Sequence, residues 1–533
     1  MSWAVPLYRR LSGSANDLQR RATIALVEAY AVTWVRRGMI GCLLMAIGGL
    51  SPAFLPANSP WWQVLGAFRD YSWLGPTLGT VAALAGVLLV MDAWFRIRPV
   101  DGAPEVDFRA VLALWSLPML LAPPIFSHDS YAYAAEGYMV HEGLNPYEMG
   151  AGMLQNRWGE QVVEVWRFTR APYGPLSLQL SHLVVDVFGH SPYWSSAVGM
   201  RILAIAGIIA TAYTIPILAE RLRVSPRRAM WFGLVNPLAI AHLVGGAHND
   251  AVMIGFISLG LLAAIRRRFL LGCVLVAAAA AVKIPAVLAI VPVAVLAWGV
   301  RRPRPTWFGR LWQTGWRVFV ATLVMVLAFT IITLACLPNG EGWGWIRAIN
   351  VPGMVSTISP PTLIGDLARI ILNELGYHRE ALSMVRLSRQ IAMVTMVIVI
   401  LVMLVRMAPT RPMRFLVYSW MALIIGSPAL HPWYLTWPAV FLAFSRPSPR
   451  IVRVSCWASI GLLTYSSVSF SWRNDLTAVG VAAAAVVIWV ILAHDRQHFR
   501  HFPQPRSERA EVADQDPGAI QERPAEGAER TGA

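Results

Sequence analysis

The chain reads as an all-α, polytopic membrane protein: a bundle of transmembrane helices with further helices lying on its outer face. Three observations predict this. Of 533 residues, 56% are hydrophobic and only 14% charged, where a soluble domain carries about 25% charge. The apolar residues come in long runs, such as Leu270 to Ile284, rather than in narrow amphipathic stripes. The period-two alternation of a β-barrel is absent.

The elements follow in order. Residues 1–37 hold no cleavable signal peptide; they offer a basic amphipathic stretch, Asp17 to Arg37, suited to the inner membrane face. A membrane domain over 38–493 divides into about 14 spans when about 20 residues are allotted to each, some of them short. They fall at 38–56, 72–95, 107–126, 195–220, 229–246, 250–265, 269–282, 284–300, 316–337, 387–406, 413–428, 432–445, 454–471 and 475–493. Arginine clusters fix the sides: Arg36-Arg37, Arg96/Arg98, Arg221 to Arg228, Arg266 to Arg268, Arg301 to Arg304, Arg406 to Arg414 and Arg446 to Arg453 are expected to be cytoplasmic. The alternation closes only if Gly174 to Gly189 does not cross, so that segment is read as a juxtamembrane helix on the outer face. Residues 494–533 are polar, rich in Glu, Arg, Gln, Pro and Ala, and are expected to be a disordered cytoplasmic tail.

Composition also excludes function classes. The net charge is +16. In a soluble chain that would suggest nucleic acid, but here the arginines sit between apolar runs as topology determinants that also touch anionic lipid, and no nucleic-acid partner is implied. The 4 cysteines lie in apolar segments without CxxC spacing and support neither a metal site nor a disulfide framework. No P-loop and no strand-associated GxGxxG is present, which argues against an ATP-driven pump and a Rossmann sugar-nucleotide enzyme. No internal repeat of the secondary-transporter kind is evident.

This topology gathers the chemically useful residues on one side: the loop 127–193, the turn at His248-Asn249-Asp250, Lys283, the loop 338–386 and the turn at His431-Pro432-Trp433-Tyr434. Asp129 directly follows a span that ends in Pro123-Pro124-Ile125-Phe126. A carboxylate at a bilayer boundary must be solvated or paired. It reads as a general base or charge stabiliser; the structural alternative is an N-cap for a helix starting at Ser130. His128 would orient Asp129 or bind substrate, or be a plain loop histidine. Tyr131, Tyr147 and Tyr173 stand in turn-rich surroundings that suit a sugar face and equally an interfacial belt; with 23 Trp in the chain, no single aromatic decides this. His248, Asn249 and Asp250 can together hydrogen-bond several hydroxyls, or else cap the span that follows. Lys283 interrupts an apolar run and must find an anion, water or an interface. A lipid phosphate is the natural partner, snorkelling the alternative. Arg201 and Arg347 are further phosphate candidates. His431, Trp433 and Tyr434 would close over the lipid phosphate or stack on sugar, or else belong to an interfacial aromatic belt.

Asp129-Ser130-Tyr131-Ala132-Tyr133-Ala134-Ala135-Glu136-Gly137, Gly143 to Tyr147, Pro172-Tyr173-Gly174-Pro175, His248-Asn249-Asp250, Lys283 and His431 to Tyr434, in this order, resemble the GT-C glycosyltransferases. Within them the chain is similar to the actinobacterial polyprenol-phosphomannose-dependent α-(1→6)-mannopyranosyltransferases of lipomannan and lipoarabinomannan assembly. The resemblance spans roughly residues 30–495, by span count. It implies a GT-C type fold, an active site on the outer face of the plasma membrane and a catalytic aspartate in the first large outer loop, where Asp129 stands. It also implies a polyprenyl-phosphomannose donor with no nucleotide, and a phosphatidylinositol-mannoside or mannan acceptor. The residue after the aspartate is often aliphatic in the family and here is Ser130. One aspartate stands where some GT-C enzymes carry an acidic pair, so no metal and no other cofactor is expected. The expected chemistry is inverting transfer, with Asp129 taking the acceptor proton and Lys283 and Arg201 facing the departing phosphate. Competing readings are an arabinofuranosyltransferase using decaprenyl-phosphoarabinose, and a lipid-linked glycan flippase, which would need a polar path across both leaflets.

Overall fold

The computed structural model describes residues 4–51, 55–56, 58–70, 74–120, 122–298, 306–337, 341–348, 351, 359–469 and 475–492. The expected tail at 494–533 lies outside them, as do residues 338–340, 349–350 and 352–358 of the expected 338–386 loop. Among the described residues there is no strand. The principal helices are α1 (Ala4–Ala31), α2 (Thr33–Gly48), α3 (Leu74–Arg96), α4 (Phe108–Ser116), α5 (Asp129–His141), α6 (Pro175–Val187), α7 (Met200–Arg221), α8 (Asp250–Ile265), α9 (Phe269–Val282), α10 (Ile290–Trp298), α11 (Trp307–Cys336), α12 (Pro360–Glu374), α13 (Met384–Met407), α14 (Pro412–Gly426), α15 (Pro449–Ser469) and α16 (Asp475–Leu492).

The exposed surface identifies the solvent. No residue of α13 is buried, and Ile391, Val394, Val397, Ile398 and Leu401 all face outward. So do Leu323, Val326, Leu327 and Ile331 on α11. Apolar faces this long are tolerated only against lipid. This is a membrane protein. Among the described residues, five helices are long and apolar enough to cross a bilayer, and two bent pairs, each taken as one span, raise that to 7. The remaining expected spans appear as shorter apolar helices or as broken segments.

The breaks have chemical causes. Proline fixes φ and lacks the N–H that a helix interior needs. The expected span 229–246 is therefore divided into Pro226–Phe232, Pro237–Ala239 and a π-helical turn, Ile240–Gly245, each of the first two opened by its proline. The expected span 432–445 becomes three short turns, Pro432–Leu435, Thr436–Phe441 and Leu442–Ser445. Likewise α9 stops at Val282, because Pro285 cannot continue the ladder; Lys283 is extended, with φ −152° and ψ 124°.

Packing inside the bundle relies on small residues, as membrane helices do. A Cβ on Gly41 of α2 would meet the Gly86 carbonyl oxygen of α3 at 2.8 Å, and one on Gly48 would meet that of Gly79 at 2.7 Å. Glycine at these positions lets the two backbones touch. Farther along, Trp94 and Trp231 stack with ring centroids 4.4 Å apart. Each indole N–H donates to the other's carbonyl, at 3.0 and 2.9 Å. This lock buries both rings and leaves neither indole N–H without a partner.

Candidate active site

The site forms where broken helices end. The turn Pro237–Gly245 and α8 meet at 114°, and His248 and Asn249 occupy the corner. Asp129 opens α5 with its backbone N–H donating to Ser127 Oγ at 3.1 Å. Its carboxylate does not cap the helix; Oδ2 instead accepts from the Tyr133 hydroxyl at 3.3 Å and lies 3.7 Å from His248 Nδ1. His248 Nδ1 is also 4.0 Å from Asp250 Oδ2. Asp250, fully buried, takes both oxygens to Lys283 Nζ, at 3.0 and 2.9 Å, and accepts from the Trp437 indole N–H. A chain of contacts therefore runs Asp129, His248, Asp250, Lys283.

Lys283 is caged as well as paired. Its Nζ stands 5.1 Å from the Tyr434 ring centroid, 5.6 Å from Trp437 and 5.7 Å from Tyr173, within the range of cation–π attraction. Trp433 is sandwiched between His248 and His431, at 4.3 and 4.6 Å. These groups line one narrow cavity, shared by Asp129, Glu136, Trp166, Thr169, Tyr173, Lys283, His431, Trp433 and Tyr434. Burial pushes the Asp129 carboxyl up to about 6, against the pull of the Lys283 charge. Glu136, half-buried on the same cavity, is driven well above the ordinary carboxylate range by desolvation and then by the Asp129 charge.

Other sequence-selected residues serve the site at one remove or lie elsewhere. Tyr147 donates its hydroxyl to the Tyr173 carbonyl at 2.8 Å, holding the 172–175 turn instead of lining the cavity. Gly174 N–H donates to the Val282 carbonyl at 3.1 Å, an acceptor released where α9 ends. That bond joins the Tyr173 turn to Lys283, and a Cβ on Gly174 would collide with the Ala281 main chain. Asn249 donates to Ser177 Oγ of α6 at 3.2 Å. Tyr131 departs from its expected place: two residues from Asp129, its ring points to the opposite side of α5 and packs with Tyr193 and Ala197. The ring of His128 stays with it, at 6.1 Å.

The phosphate role expected of Arg201 gives way to a structural one. Its guanidinium is 1% exposed and donates to the carbonyls of Val244, Leu120, Ala197 and Gly245, at 3.0, 3.0, 2.7 and 3.1 Å. With most of its N–H groups committed, it braces the broken helix behind the site. Arg347 is exposed in the short helix Trp345–Ala348 and is not among the cavity-lining residues.

Comparison with known proteins fits this arrangement. Residues 35–300 match the model of the alpha-(1->6)-mannopyranosyltransferase N-terminal domain, and residues 361–494 match that of the MptB C-terminal domain. The chain belongs to the alpha-(1->6)-mannopyranosyltransferase family. It is similar to alpha-(1->6)-mannopyranosyltransferase A of Mycobacterium tuberculosis, 28% identical over 86% of this chain and 89% of that protein. It also resembles alpha-(1->6)-mannopyranosyltransferase A of Corynebacterium glutamicum, at 27% over 76% and 86%, and alpha-(1->6)-mannopyranosyltransferase B of that organism, at 28% over 81% and 75%.

In this mannopyranosyltransferase, sequence reasoning passed over Tyr133, Glu136, Trp166 and Thr169 as site residues. For two of them a signal was present. Tyr133 and Glu136 follow Asp129 by four and seven residues, the spacing of one helix face. Trp166 comes from the single helical turn Glu164–Arg167 and Thr169 from the segment just after it, too short a stretch for periodicity to point.

Proposed function

We propose that this membrane mannosyltransferase moves mannose from polyprenyl-phosphomannose to an α-(1→6)-mannan acceptor on a phosphatidylinositol-mannoside anchor, at the outer face of the plasma membrane. The observation that carries the reading is the single cavity in which a buried carboxylate, Asp129, faces a caged lysine, Lys283. A base serves best when its pKa lies near the working pH, and burial brings Asp129 toward that range.

The roles follow from the contacts. As the acceptor hydroxyl attacks the anomeric carbon, its proton passes to Asp129, and the carbon–oxygen bond to the lipid phosphate breaks. The electron pair leaves on the phosphate, which needs no general acid. Lys283 opposes that charge with the N–H not spent on Asp250. With Asp129 and Asp250 ionised and Lys283 charged, an incoming phosphate adds a further negative charge. A Glu136 that holds its proton keeps the balance from worsening and offers a hydroxyl donor to the sugar. Tyr173, Trp166 and Tyr434 supply flat apolar faces for the mannose ring. This reading assigns no metal to the cavity.

The test uses purified protein in lipid with two radiolabelled donors, polyprenyl-phosphomannose and decaprenyl-phosphoarabinose, and a short α-(1→6)-mannoside acceptor. Mannose transfer giving a new α-(1→6) linkage supports the reading. Arabinose transfer alone would replace it with an arabinofuranosyltransferase, and transfer of neither sugar would return it to a transport role.

A further inference from the structure

At the far end of α5 from Asp129, about 18 Å away at 1.5 Å per residue, stands a second cluster of titratable side chains. The donor atoms of His141, Asp186 and His190 lie within 4.8 Å of one another. His141 Nδ1 is 3.0 Å from Asp186 Oδ1, and His182 Nε2 is 3.4 Å from Asp186 Oδ2. His182 and Asp186 are four apart on α6, one face of the helix. His141 closes α5, and His190 follows the end of α6. All are open to solvent at least in part.

His182 stands beside this group, on the second oxygen of Asp186, and its own hydrogen bonds hold it there. Gln179 Nε2 donates to the Cys336 carbonyl, and a carbonyl can only accept. The amide oxygen of Gln179 must then face His182 Nδ1, 3.3 Å away, so Nδ1 carries the proton. The series Cys336, Gln179, His182 thereby orients the Asp186 carboxylate from behind, as the outer-shell partners of a ligating carboxylate do.

We propose that His141, Asp186 and His190 bind one divalent transition metal, with imidazole and carboxylate ligands of the kind that suits Zn²⁺ and water in the remaining position. Tetrahedral Zn²⁺ with bonds of about 2.0–2.1 Å separates its ligand atoms by about 3.3 Å. His141 and Asp186 already stand near that spacing, at 3.0 Å. The ion joins the C-terminal end of α5, whose other end holds Asp129, to the juxtamembrane helix α6. It takes no part in the transfer step.

Full-length protein in lipid nanodiscs, stripped with a chelator and exchanged into metal-free buffer, is titrated with Zn²⁺ by calorimetry and then melted with and without the ion. Saturable uptake of one Zn²⁺, with a rise in Tm, is expected. His190→Ala and the double variant His141→Ala/His190→Ala should weaken binding by tenfold or more while melting like the stripped wild type. His182→Leu, which removes only the outer-shell partner of Asp186, should cost about 10- to 100-fold in affinity. Co²⁺ in the same site should give a d–d absorption band that the double variant lacks. Uptake by the folded double variant equal to wild type would overturn the proposal, as would a folded wild type that takes up no Zn²⁺. A Tm that rises on acidification but not with Zn²⁺ would show that a proton fills the place of the ion, and that too would overturn it.

Discussion

Two buried cations stand behind the same face of this protein, and their surroundings set them to different work. Arg201 is enclosed by main-chain carbonyls, four of which accept its N–H groups. Those carbonyls belong to broken helix turns, where the regular ladder leaves acceptors open. A planar, always-charged fork satisfies several of them at once. Lys283 has one carboxylate and three aromatic rings around it, and it borders a cavity. The first cation is saturated by the fold; the second is held in place with its charge still directed at a space. Burial of a charge alone does not mark a site. What marks it is burial beside a cavity with donor capacity left over.

The strongest way to break this comparison is Lys283→Met. Transfer should fall by about 100- to 1,000-fold, the cost of removing one preorganised donor from a developing anion. The same change strands the Asp250 carboxylate, which costs about 3–5 kcal/mol of stability when a buried partner is lost. Pairing it with Asp250→Asn should return the Tm without returning the rate. A double variant that regained transfer would make Lys283 a structural counter-ion, like Arg201.

The converse experiment is Arg201→Met. Each orphaned carbonyl costs about 1–3 kcal/mol, so the yield of folded protein should drop sharply. The turnover of what does fold, normalised by active-site count, should stay within about twofold of wild type, since by the electrostatic argument the arginine faces no reacting atom. A hundredfold loss in folded protein would put Arg201 back among the phosphate ligands.

The pH profile sharpens the other half of the site. Asp129 must be ionised to accept a proton, and its carboxyl is raised to about 6. Transfer should therefore rise about tenfold per pH unit below 6 and level off above it. Stability moves in the opposite sense. The folded state holds this proton more tightly than the unfolded chain, whose carboxyl titrates near 3.9. Both forms are protonated below about 4, and the unfolded chain alone has released the proton by about 6. The contribution of Asp129 to stability thus declines as pH climbs from about 4 to 6 and stays lost above it. Glu136 acts with the same sign at higher pH. A transfer profile flat from pH 4.5 to 8 would contradict the base assignment. The smallest effect belongs to Tyr147→Phe, which removes the hydrogen bond to the Tyr173 carbonyl. About 0.5–1.5 kcal/mol of stability should go, with a modest rise in KM read from initial rates.

Much of this was legible in the sequence, and what was not has physical reasons. The spans at 250–265 and 269–282 coincide with α8 and α9, because hydropathy and arginine punctuation agree there. The juxtamembrane reading of 174–189 matches α6 in extent. Asp129, His248, Asp250 and Lys283, far apart in the chain, do meet. Hydropathy could not show that 229–246 and 432–445 are broken, since it counts apolar residues and not the hydrogen bonds that Pro237, Pro432 and Pro438 remove. Nor could it separate Arg201 from Lys283: both are cations near span ends, and only the carbonyls exposed by the helix breaks tell them apart. Along α5, helical spacing favoured Tyr133 over Tyr131, yet an isolated motif read without its periodicity chose Tyr131.

The central claim is that Asp129 takes the acceptor proton in a mannosyl transfer. The most direct measurement is single-turnover transfer of mannose from radiolabelled polyprenyl-phosphomannose to a short α-(1→6)-mannoside, by folded wild type and folded Asp129→Asn protein. The amide keeps the size of the side chain and discards its basicity. Transfer by the variant should be slower by about 100- to 10,000-fold, with donor binding retained. Transfer by Asp129→Asn at the wild-type rate would contradict the account.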